Sequence, residues 1–171
     1  MKIFVQLTFT LVFIFNLVDG QYVHVKDDFI GLVPPELYNF FSNLSTDQIR
    51  ILREAATKHA GKSEAIDAEI RGQDPELAAN SKSVFKAFSN KMKNLSLSSR
   101  GFISFVMQAI RSAEHVKEIE TLKTIASHVI LQWNRLDKDT KTELTTAFPS
   151  IVKTLKSATF STFAKTIKTV V

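Results

Sequence analysis

Four histidines, two close carboxylate pairs and a lysine-rich C-terminal stretch are the side chains of this sequence most able to carry chemistry. His24, His59, His115 and His128 are scattered, with none of the short ligand spacings that hold a zinc ion, so surface or helix-capping roles are expected for them. Glu118 and Glu120 are close in sequence, but positions i and i+2 on a helix point apart, which argues against an acid/base pair. Asp137 and Asp139 suit a helix N-terminus, where carboxylates are favoured. The chain has no cysteine, which removes disulfides, thiolate metal sites and a cysteine nucleophile together. It has no G-x-S-x-G, H-E-x-x-H, phosphate-binding glycine loop or dinucleotide fingerprint. The expectation is a protein that is not an enzyme, with no catalytic residues, no metal and no cofactor.

The remaining chemistry is that of binding. Lys153, Lys156, Lys165 and Lys168 alternate with Phe148, Ile151, Val152, Leu155, Phe160, Phe163 and Ile167. Such a pattern gives either a solvated face on core helices or a basic amphipathic surface that transiently contacts anionic membranes. Arginine is sparse there and no reader motif is present, so nucleic acid is not an expected partner. The sequons Asn43-Leu44-Ser45 and Asn94-Leu95-Ser96 make Asn43 and Asn94 candidate glycosylation sites.

These residues need a scaffold, and composition narrows it. The chain has 171 residues, of which 44% are hydrophobic, a length suited to one domain with a true apolar core. Five glycines and four prolines are too few for the turns of a β-sandwich or barrel. Met1-Lys2, the apolar run from Ile3 to Val18, and small Gly20 form a secretory signal peptide pattern over residues 1–20. Gln6, Thr8, Thr10 and Asn16 interrupt the run, making it a poor spanning helix. The mature chain, 21–171, is expected to be secreted to the extracellular space as a single helical domain, and a monomer is the expected state. Four of the fourteen phenylalanines belong to the leader; tyrosine and tryptophan are scarce throughout.

Apolar spacing is helical nearly everywhere after residue 34. Pro35 suits the first position of a short helix. Ser45-Thr46-Asp47-Gln48 is a capping box for a helix to about His59, ending before Gly61. Ser63 is expected to cap a helix to about Gly72, and Asp74-Pro75 to start one reaching about Asn94. Ser98 is expected to cap a helix over about 99–113, with Leu97 and Phe102 as a hydrophobic staple. That helix is apolar on nearly all faces between Phe102 and Ile110, which places it in the interior. Helices at about 116–135, from Asp137 to Ala147, from Pro149, and over 159–169 complete the chain. No window alternates at period two, so the fold class is all-α, eight or nine mostly short helices with no sheet.

The stripes Val84, Phe85, Phe88, Met92 and Phe102, Phe105, Val106, Ile110 could pack on each other. Short helices also pack irregularly and can leave an internal apolar cavity, which stays dry and accepts apolar ligands. The segments Leu32-Val33-Pro34-Pro35-Glu36-Leu37, Phe40-Phe41-Ser42-Asn43-Leu44-Ser45 and Asp74-Pro75-Glu76-Leu77-Ala78 have a familiar order, as do Leu136-Asp137, Leu144 and Phe148-Pro149. With the leader and the missing cysteine, the chain from about 30 to 157 resembles the nematode fatty acid and retinol binding proteins. That resemblance implies an all-α wedge around an internal ligand cavity, with long-chain fatty acids and retinol as ligands. It transfers no binding residue by motif. Pattern alone makes Phe85, Phe88, Met92, Phe102, Phe105, Val106, Ile110, Ile125, Val129, Trp133 and Phe148 the lipid-lining candidates. A carboxylate headgroup is costly to bury unpaired, so it is expected beside a lysine or arginine near solvent. The competing reading is a secreted helical protein with a filled core that acts through its surface.

Overall fold

The computed structural model describes residues 29–60, 62–114, 116 and 118–165. The expected leader at 1–20 lies outside these residues, as do His24, His115, Gly61, Ile167 and Lys168. Among the described residues there are nine α-helices and no strand. They are α1 (Pro35–Ser42), α2 (Thr46–Lys58), α3 (Ser63–Gln73), α4 (Pro75–Lys93), α5 (Leu97–Glu114), α6 (Ile119–Arg135), α7 (Lys138–Ala147), α8 (Pro149–Lys156) and α9 (Ala158–Lys165). None of these helices is long and apolar enough to cross a membrane. The helices fall into two compact units: α1–α4 form one, and residues 29–34 with α5–α9 form the other.

In the first unit, each helix start has a local cause. Ser45 Oγ accepts the Gln48 N–H at 3.2 Å while Gln48 Oε1 accepts the Ser45 N–H at 3.1 Å, the reciprocal capping box. Asp74 accepts the Leu77 N–H at 2.8 Å, and Pro75 occupies the first helical position, where no N–H is needed. Gln48 also donates to the second oxygen of Asp74 at 3.2 Å, tying the start of α2 to that of α4. At α3 the expectation needs correction. Ser63 is the first helical residue and Lys62 holds the cap position without a side-chain bond. The core of this unit is Leu37, Phe41, Ile51, Leu52, Ala55, Ile66, Ile70, Leu77, Phe85, Phe88 and Met92, as helical periodicity of the apolar residues requires. Lys91 of α4 closes its edge on Glu36 of α1 at 3.0 Å.

In the second unit, α5 packs on α6 and α7, α9 lies against α6, and α8 joins α7 to α9. Phe102, Ile103, Val106, Met107, Ala109 and Ile110 are all buried, which bears out the interior position of α5. Its cap differs from expectation. Ser96, not Ser98, accepts the Ser99 N–H, at 3.2 Å, and α5 starts two residues early. Leu97 is consequently turned outward and is 80% exposed rather than stapled to Phe102. Asp137 caps α7 through the Thr140 N–H at 2.8 Å and accepts the Thr140 hydroxyl at 2.8 Å. Phe148, fully buried, ends α7 and begins α8, so one side chain anchors the joint between them. Phe160 of α9 and Phe163 meet Phe29 edge-on, with ring centroids 6.0 and 6.2 Å away. Gly31 lies so close to Thr154 of α8 that a Cβ there would collide with the Thr154 side chain.

Candidate functional site

The candidate lining residues divide between the two units. In the first, Phe85, Phe88 and Met92 recur along the inward face of α4 and are all buried. Phe85 joins Phe40 and Phe41 of α1 in an aromatic cluster with centroid separations of 6.2 and 6.4 Å, Phe40 and Phe41 themselves being 4.9 Å apart. Offset and edge-on pairs of this kind add stabilisation beyond the area they bury. Sequence reasoning passed over Phe40 and Phe41 as lining candidates, although their i and i+1 spacing beside Leu37 marks one inward and one flanking position on α1.

In the second unit the structure brings Phe102 of α5 against Trp133 of α6, centroids 5.7 Å apart. Val106, Ile110, Val129 and Phe148 are buried in the same unit, while Phe105 and Ile125 are only half-buried. Trp133 itself is 6% exposed. Lys141 of α7 and Lys156 of α8 place their ammonium groups 5.8 and 6.0 Å from the Trp133 ring centroid. Lys141 also donates to the Asn134 carbonyl at 3.0 Å, at the C-terminal end of α6 where positive charge is favoured. Lys141 is half-buried and Lys156 exposed, so the pair stands between the aromatic interior and solvent.

Other polar groups are committed to the scaffold. Glu143 of α7 accepts the Ser96 hydroxyl at 2.6 Å, the Ser96 N–H at 2.9 Å and the Ser99 hydroxyl. Those bonds, the Ser96 hydroxyl first, hold its carboxyl below the usual range. Asp137 and Asp74 are likewise held low, each mainly by the backbone N–H that it caps. His59 ends α2 and its Nε2 meets Glu69 at 3.1 Å, alongside Lys58 at 2.9 Å. The Lys58 and His59 side chains lower the Glu69 pKa. His128 is exposed. Glu118 pairs with the Thr121 hydroxyl and Glu120 with Lys123 at 2.7 Å, so the two carboxylates serve separate partners. Among the described residues no three His, Asp or Glu side chains gather in a metal-holding group. The nitrogens Arg53 Nε and Arg100 Nε and the hydroxyl Ser150 Oγ are buried without a hydrogen-bond partner.

The class so defined is an all-α protein of mostly short helices packed around phenylalanine-rich interiors. Residues 27–167 match the model of the nematode fatty acid retinoid binding protein family (Gp-FAR-1), and the chain belongs to that family. It is 26% identical over 145 residues to fatty-acid and retinol-binding protein 1 of Brugia malayi, covering 81% of each chain. Its likeness to the Loa loa protein of the same name is 24% over 158 residues, 88% of each. The solved fatty acid and retinol binding protein Na-FAR-1 from Necator americanus superposes with a TM-score of 0.67 over 81% of this chain and 94% of that one. At 23% identity, that likeness establishes the shared helical fold.

Proposed function

We propose that this protein is a secreted, non-catalytic carrier of long-chain fatty acids and retinol. Family membership over residues 27–167 carries the reading. The aromatic interiors support it: Phe85, Phe88, Met92, Phe102, Phe105, Val106, Ile110, Ile125, Val129, Trp133 and Phe148 supply apolar surface on inward helix faces. Each methylene withdrawn from water contributes about 0.8 kcal/mol, so a long acyl chain supplies most of the affinity and its headgroup the orientation. Residues 1–20 serve as the secretory leader, and the mature chain acts as a monomer. The exposed Asn43 and Asn94 are its glycan positions. Exposed Lys153, Lys156 and Lys165 favour transient contact with anionic membranes, from which a carrier collects or delivers lipid.

An environment-sensitive fluorescent fatty acid tests the proposal. On adding the protein, its emission should rise and shift to the blue, and oleate or retinol should reverse the change. An unchanged probe with no competition by oleate contradicts the reading.

A further inference from the structure

Trp133 gathers two ammonium groups. Lys141 and Lys156 arrive from different helices, α7 and α8, and approach the same ring. Lys141 uses one of its three donors on Asn134; Lys156 has neither a hydrogen bond nor a carboxylate partner among the described residues. The Trp133 indole N–H also has no protein acceptor among these residues. The acids nearest in sequence on α7 are otherwise engaged or turned to solvent: Asp137 caps its helix, Glu143 takes the two serines, and Asp139 is exposed. Both ammonium groups lie within cation–π reach of one ring, 5.8 and 6.0 Å from its centroid, so an anionic headgroup brought to this ring would be attracted by each. Phe102 of α5 packs on the same ring, centroids 5.7 Å apart, and Val106 and Ile110 of that helix are buried. The arrangement joins a cationic, solvent-facing end to an apolar interior, which is the polarity of a fatty acid.

We infer that Lys141 and Lys156, over the Trp133 ring, receive the carboxylate of a bound long-chain fatty acid while its acyl chain lies towards Phe102 and the interior of α5. This rests on the carrier reading above and assigns the headgroup end of that site. Retinol, which has a hydroxyl in place of the carboxylate, draws little on the lysine pair.

The chain has a single tryptophan, so its emission reports on this position alone. Bromine quenches indole emission at short range. The protein should therefore be saturated, in parallel, with hexadecanoic acid brominated at carbon 2 and at carbon 16. The carboxyl-end bromine should quench Trp133 more strongly. Equal quenching, or stronger quenching by the methyl-end bromine, overturns the assignment and leaves lipid carriage intact. Failure of both acids and of retinol to bind overturns both. In Lys141→Gln/Lys156→Gln, palmitate should bind roughly ten-fold more weakly or worse, while retinol affinity stays within about two-fold. Lys86→Gln/Lys93→Gln removes the same net charge at exposed positions of α4 and should leave both affinities unchanged. Equal losses in the two double variants, or loss of palmitate only in Arg53→Gln, contradict the inference. So does a Lys141/Lys156 variant that stops binding phosphatidylserine vesicles yet keeps its palmitate affinity.

Discussion

Glu143 of α7 reaches back to Ser96 at the start of α5, accepting its hydroxyl at 2.6 Å and its N–H at 2.9 Å across 47 residues of chain. The same carboxylate takes the Ser99 hydroxyl. One side chain therefore both completes a helix cap and fixes two helices of the Trp133 unit to each other. These bonds favour the ionised form and hold the pKa below its ordinary value of 4.5. A depressed carboxyl stabilises the fold above its unfolded pKa, and that contribution is lost as pH falls through the folded value. Glu143→Gln should lower Tm at pH 7, and its Tm should fall less than that of the wild type between pH 5.5 and pH 3. Parallel acid limbs in thermal unfolding would remove Glu143 from this role.

The choice of cap is open to the same kind of test. Ser96→Ala should destabilise by about 1 kcal/mol, as for other serine N-caps, whereas Ser98→Ala should stay within about 0.5 kcal/mol of the wild type. Ser45→Ala, which breaks the capping box of α2, should cost about 1 kcal/mol. Urea denaturation followed by circular dichroism measures all three. An Ser98→Ala loss equal to that of Ser96→Ala would restore the cap that local sequence suggests.

Gly31 and Thr154 are packed too closely for a side chain at residue 31. Gly31→Ala should cost about 1–3 kcal/mol, in the range of overpacked cores. Thr154→Ala should recover part of that loss when combined with it, because the clash involves Thr154 side-chain atoms. A double-mutant cycle on chemical denaturation gives the coupling; strictly additive losses would mean that the backbone shifts instead.

Phe160 has no exposure and contacts Phe29 edge-on. Phe160→Ala should cost about 3–5 kcal/mol, while Leu97→Ala, at an exposed position, should change stability by less than about 0.5 kcal/mol. Thermal melts distinguish the two at once. A large loss at Leu97 would mean that this leucine is covered in solution.

Much of this fold is legible in the sequence because helix starts are local events. The Ser45–Gln48 box, Asp74-Pro75, Asp137 and Pro149 each act within about four residues, and all four begin helices as expected. Ser96 was not legible. Three serines within four positions offer nearly equal local caps, and the deciding partner, Glu143, is distant in sequence. The lysines at Trp133 were hidden for the same reason. They follow it by unrelated spacings on two helices, and only the packing of α6, α7 and α8 makes them neighbours. The apolar pattern identified the buried faces of α4, α5 and α6. It does not distinguish an inward phenylalanine that touches protein from one that touches lipid, since both turn the same face from water.

Lipid carriage is tested most directly by native mass spectrometry of the folded protein, first as isolated from secreting cells and then after adding oleate or retinol. The account predicts a protein mass without residues 1–20, accompanied by stoichiometric lipid that is retained under gentle ionisation and exchanged for the added ligand. A lipid-free spectrum that neither oleate nor retinol alters would contradict it.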